Sequence, residues 1–192
     1  MKLCFATRNT NKIKEVKAKL GNAFDIISLD DIQCNDELPE TTGTIEGNSA
    51  QKAQYAWDHF QVNCFADDSG LEVEALSGEP GVDSAMYAGK HGDSEANIAL
   101  LLKNLTGETN RKAQFKTVIT VVLDGVQHQF TGIAAGTILP DTRGNKGFGY
   151  DPVFLPEGYD KTFAEMSLEQ KNDISHRSKA FVKLVDFLQN KI

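Results

Sequence analysis

Phe115-Lys-Thr-Val-Ile-Thr-Val-Val-Leu-Asp-Gly-Val126 is the stretch that decides the fold. Its first nine residues are rich in Val, Ile and Thr, which suit a pleated, half-buried surface. Asp124-Gly125 then joins them to a second strand-like run from Val126 onward. Asp-Gly between two such runs is a hairpin signal, because both turn residues must adopt positive φ. An antiparallel hairpin is therefore expected. A further strand, roughly Phe130 to Ile138, leads to a glycine-containing loop at Gly144 to Gly149.

Upstream, the chain alternates strand and helix. Lys2 to Thr7 reads as a short buried strand, polar Arg8 to Asn11 as a loop, and Ile13, Val16 and Leu20 fall at helical spacing. Phe24 to Leu29 is a second strand. From Asn48 to Phe60 the positions Ala50, Ala53, Trp57 and Phe60 form an apolar helical stripe. Val62 to Ala66 is a short strand ending in Asp67-Asp68-Ser69-Gly70. Asp93 or Ser94 caps a helix whose inward residues are Ile98, Leu101, Leu102 and Leu105. Near the end, Ser167 and Gln170 have capping-box spacing, and Ser175 starts a helix with Phe181, Leu184, Val185 and Leu188 on one face. Strand-helix alternation followed by a hairpin predicts an α/β fold with a mixed sheet. No linker or repeat divides residues 1–192, so one domain is expected.

The chain has 192 residues, 40% of them hydrophobic, and a formal net charge of -7. That balance argues against a surface tracking nucleic-acid phosphates, which needs clustered Lys and Arg. A polyanion bound here must meet local positive charge or a metal. Cys4, Cys34 and Cys64 are odd in number, with no Cys-x-x-Cys pair, and suggest neither a disulfide framework nor structural zinc. No apolar run has membrane-spanning length, and Leu3 to Ala6 is too short for a signal peptide. A cytoplasmic protein is expected.

Four polar blocks lie at ends of predicted elements, where α/β sheets place ligands. Thr7-Arg-Asn-Thr-Asn-Lys12 occupies a strand-to-helix turn, where free N–H groups and a Lys favour an anion, although Asn and Thr are equally ordinary caps. Glu40 and Asp67-Asp68 bring carboxylates from distant parts of the chain, the donor type that holds Mg²⁺ and leaves positions for phosphate and water. Alone, Asp-Asp-Ser-Gly is more often a strand-ending turn. Alternation along a strand gives the two acids opposite faces and different jobs. Gly147-Phe-Gly-Tyr-Asp-Pro152 offers an aromatic between glycines, either a stacking face for a base or a loop with Phe148 folded into the core. Lys171, His176 and Arg177 supply donors for a substrate oxygen, or plain surface charge.

Together the motifs Ala6 to Lys12, Glu40 with Asn48 and Lys52-Ala53, Ala66-Asp-Asp-Ser-Gly-Leu71, Gly78-Glu-Pro-Gly81, Gly147 to Pro152 and Ser175-His-Arg177 resemble, in order, the inosine triphosphate pyrophosphatase family. The resemblance implies an elongated mixed sheet with flanking helices, two lobes around a central substrate cleft, and a homodimer. It implies hydrolysis of XTP, ITP and dITP to monophosphate and pyrophosphate. Carried over residue by residue, Thr7, Arg8, Asn9, Thr10, Asn11 and Lys12 bind phosphates, with Lys52 a further candidate. Glu40 and Asp68 hold Mg²⁺, Asp68 accepts the proton of the attacking water, and Ser69 contacts substrate. Phe148, Gly149, Tyr150, Asp151, Lys171, His176 and Arg177 enclose and read the purine. Asp67 supports from behind. This chain departs from the family at Gly47, where a Glu commonly precedes the Asn; Glu46 stands one step earlier. Other readings are a Maf-like pyrophosphatase for other modified nucleotides and a regulatory module that binds nucleotides without turnover.

Overall fold

The computed structural model describes residues 1–8, 12–13, 16–17 and 24–191. Among the described residues seven strands form one sheet: β1 (Lys2–Phe5), β2 (Asp25–Ile27), β3 (Cys64–Val73), β4 (Pro80–Gly81), β5 (Lys112–Leu123), β6 (Val126–Ile138) and β7 (Phe154–Pro156). Their order is β2-β1-β3-β5-β6-β7, with β4 paired to β3. β1 runs parallel to β2 and to β3, whereas β3 and β4, and β6 and β7, pair antiparallel. The sheet is mixed, as expected. Asp124 and Gly125 have φ of 49° and 81°, the conformation that a two-residue hairpin turn demands.

Two strands are longer than the sequence suggests. β3 does not stop at Ala66 but continues through Asp67-Asp68-Ser69-Gly70 to Val73. The acids therefore lie within a strand, where tertiary partners override their poor strand propensity. Likewise, Phe130 to Ile138 is no separate strand: β6 is unbroken from Val126.

Helices α1 (Ile45–Phe60), α2 (Ser94–Asn104), α3 (Leu168–Ile174) and α4 (His176–Gln189) flank the sheet. Their starts are set by side-chain caps. Thr44 accepts from Gly47 N and begins α1 three residues before Asn48; Asp93 accepts from Ala96 N. Ser167 and Gln170 complete the expected capping box, and Ser175 Oγ accepts from Ser178 N at 3.2 Å. Among the described residues no helix is long and apolar enough to cross a membrane.

The chain packs as two units. The first comprises Met1–Asp68, Val118–Phe130 and Phe181–Ile192; the second comprises Ser69–Thr117 and Thr131–Ala180. The first has small core residues, Cys4, Ala53, Ala56, Cys64 and Ala66, which bring α1 close to β1 and β3. In register there, Phe5 and Phe65 stack at 4.4 Å. The second is built on Leu71, Leu101, Phe115, Phe154 and Phe163, with the Phe115 and Phe154 rings 4.6 Å apart.

Candidate active site

In the first unit the acids of β3 meet lysines on different elements. Asp67 is buried, and both its oxygens accept from Lys12 Nζ, at 2.9 and 2.8 Å. Asp68, half-buried, has Oδ1 at 3.8 Å from Lys52 Nζ. Alternation along the strand thus separates the two carboxylates. Lys52 also donates to Glu40 Oε1. Glu40 and Asp68, 28 positions apart in sequence, consequently share one ammonium. A point charge between two carboxylates is the donor chemistry that a hard divalent cation would take. No group of three or more His, Cys, Asp or Glu side chains suited to a metal occurs among the described residues, so a cation here would complete its shell with water or substrate oxygens.

The register of Lys52 on β3 is fixed by buried hydroxyls. Ser49 Oγ donates to Ala66 O at 3.1 Å and lies 2.9 Å from Thr120 Oγ1; Gln129 Nε2 donates to Thr120 Oγ1 at 3.0 Å. A chain of donors with each acceptor filled holds α1 against β3 and β5.

Among the predicted phosphate-binding residues, Thr7 is half-buried, and its N–H bonds Phe5 O at 2.7 Å. The Arg8 guanidinium donates to Cys34 O and Asp36 O, both at 2.9 Å, and so braces the loop that leads to Glu40. Asn9, Thr10 and Asn11 lie outside the described residues. Lys12 is brought to Asp67, a pairing across 55 positions that local spacing gives no sign of.

The second unit gathers the remaining candidates. Phe148 is 66% exposed, so the alternative in which it folds into the core is wrong. The ring is flanked by Lys171 Nζ, 4.6 Å from its centroid, and by the Arg177 guanidinium carbon at 6.0 Å. Lys171 ion-pairs with buried Asp151, whose Oδ2 also accepts from Phe148 N at 2.9 Å. One carboxylate thereby positions both the cation and the loop. Gly147 is required for this: a Cβ there would overlap Asp151 Oδ2 and lie 2.9 Å from its Cγ. Gly149 also has positive φ, at 59°, and carries the chain past the ring.

Tyr150 is the aromatic that enters the core; its hydroxyl donates to Ser84 O at 2.9 Å, and burial pushes its pKa up. His176 is buried and stacks on Phe115 at 4.8 Å. Ser69 Oγ lies 2.7 Å from Thr117 Oγ1. Thr117 and Phe115, the partners of Ser69 and His176, come from distant sequence, which is why motif spacing alone does not find them.

The chain matches its relatives over nearly their full length. It is similar to the dITP/XTP pyrophosphatase of Flavobacterium psychrophilum, 53% identical over 190 residues that cover 99% of this chain and 100% of that protein. The dITP/XTP pyrophosphatase of Flavobacterium johnsoniae is 54% identical over 188 residues, 98% of each. Among solved structures, the Staphylococcus aureus Ham1 protein superposes with a TM-score of 0.96 at 39% identity, covering 100% of both chains. A HAM1 protein from Coxiella burnetii gives 0.93 at 32% identity and 99% coverage of both. The Ham1 family model matches residues 3–187, a span that includes β3 with its acids and the loop of Phe148, and the chain belongs to that family.

Proposed function

We propose that the protein hydrolyses the non-standard purine nucleoside triphosphates XTP, ITP and dITP to the monophosphate and pyrophosphate, clearing deaminated purines from the nucleotide pool. The observation that carries the reading is the Lys52 ammonium shared by Glu40 and Asp68, in a chain whose full-length relatives are named dITP/XTP pyrophosphatases. The donor set fits magnesium, which Glu40 and Asp68 would hold and which would neutralise charge on the phosphate oxygens and the leaving pyrophosphate.

The chain's own residues do the rest. Asp68 orients the attacking water toward the α-phosphorus and accepts its proton. Lys52, beside Glu40 and Asp68, would bind the phosphates together with Thr7 to Lys12. Asp67 holds the Lys12 ammonium through both carboxylate oxygens. Positioning and charge stabilisation supply most of the rate in phosphoryl transfer, so no strong base is needed.

In the second unit Phe148 stacks on the purine while Lys171, His176 and Arg177 donate to its 6-oxygen. Adenine offers an amino group there. A donor left without an acceptor costs about 1 to 3 kcal/mol, enough for tens-fold rejection of ATP per contact. As in the resemblance drawn above, the protein acts as a homodimer.

Pyrophosphate release from XTP, ITP, dITP, ATP, UTP and dTTP, with and without Mg²⁺, tests the reading. Release from the first three alone, only with Mg²⁺, is expected. Equal cleavage of ATP and XTP would refute the donor argument, preference for dTTP or UTP would favour the Maf-like reading, and tight ITP binding without release would mark a regulatory module.

A further inference from the structure

The loop carrying Glu40 is fastened to α1 residue by residue. Glu40 meets Lys52. Thr41 N donates to Gln51 Oε1 at 2.8 Å, and Gln51 Nε2 returns a bond to Thr41 Oγ1 at 2.9 Å. Thr42 N and Oγ1 both donate to Asn48 Oδ1, at 3.1 and 2.9 Å. Three consecutive loop residues therefore lie antiparallel along α1 positions 52, 51 and 48, which share one helical face. Asn48 is buried and anchors the contact from the helix side, while Thr41 and Thr42 themselves are exposed.

Gly47 makes the contact possible. A Cβ at that position would overlap Thr42 Oγ1, and would lie 2.6 Å from Thr42 Cβ and 2.7 Å from Thr44 Oγ1. Thr42 fills the room that a side chain at position 47 would need. Gly47 is costly inside a helix, by about 1 kcal/mol relative to Ala, so its presence in the first turn needs a reason of this kind.

We infer that Thr41, Thr42 and Gln51, with Thr42 seated against Gly47, form a latch that positions the Glu40 carboxylate for its cation. They are positioning residues and touch neither substrate nor metal. The inference rests on the reading of Glu40 and Asp68 as the magnesium-holding pair. In the absence of cation, the latch keeps Glu40 on Lys52; in its presence, the same latch spares the carboxylate the entropy of an unfastened loop.

The test compares wild type with Thr42→Val/Gln51→Leu and with Thr42→Ser, in the full chain. Hydrogen exchange of segment 40–44 should quicken about ten-fold in the double variant while 50–60 stays protected. Mn²⁺ affinity without nucleotide, and the Mg²⁺ concentration that half-saturates turnover, should weaken about ten-fold, with kcat at saturating metal within about two-fold. Thr42→Ser, which keeps the hydroxyl, should match wild type in both. A double variant with unchanged exchange, or with faster exchange and an unchanged Mg²⁺ requirement, overturns the latch alone. A wild type indifferent to Mg²⁺ overturns the metal reading and the latch with it.

Discussion

Asp67 and Asp68 should fail in different ways when their charge is removed. Asp67 is 6% exposed and accepts twice from Lys12, whose side chain retains 26% exposure. Breaking a buried pair costs about 3 to 5 kcal/mol when the remaining charge stays buried. In Asp67→Asn the remaining charge is Lys12, which can reach water, so the cost should fall to about 2 kcal/mol. Lys12→Met removes the ammonium from a carboxylate that stays buried and should cost more, about 3 kcal/mol. The double variant should cost less than the sum of the two, with a coupling of about 1 to 3 kcal/mol. Asp68, 3.8 Å from Lys52, is in a looser pair than Asp67 with Lys12. Asp68→Asn should therefore unfold near the wild-type urea midpoint yet lose at least about 100-fold in turnover, the loss of one general base. Urea unfolding followed by circular dichroism, beside pyrophosphate release, reads both quantities. If Asp67→Asn keeps its stability and loses turnover while Asp68→Asn stays active, the roles of the two acids are reversed and the argument from strand alternation is wrong.

Phe148→Ala should leave stability within about 0.5 kcal/mol, because the ring is exposed, and raise KM for XTP by about ten-fold or more through lost stacking; an unchanged KM would remove Phe148 from the base site. Gly147→Ala should cost about 1 to 3 kcal/mol by overlap with Asp151 and raise KM as well, measured by thermal unfolding and steady-state kinetics. Burial pushes the Cys4 and Cys64 thiols from an ordinary 9.0 up to about 12. Raised values mean stability that is present below pH 9 and lost as pH climbs toward 12, at roughly 1.4 kcal/mol per pH unit for each thiol. Urea midpoints between pH 8 and 10.5 should fall in wild type and flatten in Cys4→Ala/Cys64→Ala, and native protein at pH 8 should resist maleimide at both positions.

What was readable from the sequence was local. The Asp124-Gly125 turn, the Ser167 and Gln170 box and the Asp93 cap each act over four residues or fewer, and each stands as the sequence predicts. The turn composition of Asp-Asp-Ser-Gly hides the second half of β3; the lysines, Thr117 and Gly81 that keep it extended come from elsewhere in the chain. The candidate site shows the same division. The motifs spell out its residue types, whereas the Lys12 partner of Asp67 and the Thr42 side chain that occupies the space at Gly47 are products of the fold.

Trp57 is the chain's single tryptophan, and it packs in the first unit with its ring atoms 3.5 to 3.6 Å from a Cβ built on Gly125, at the tip of the hairpin. Three of the four tyrosines, Tyr87, Tyr150 and Tyr159, belong to the second unit, and Tyr55 to the first. The molecule thus carries its own two-colour reporter: excitation at the indole band follows the α1 and hairpin packing, whereas the phenol signal is weighted toward the unit that holds Phe148. Coincident melting of the two signals would mean that both halves unfold as one cooperative body, and divergence would resolve them without any label.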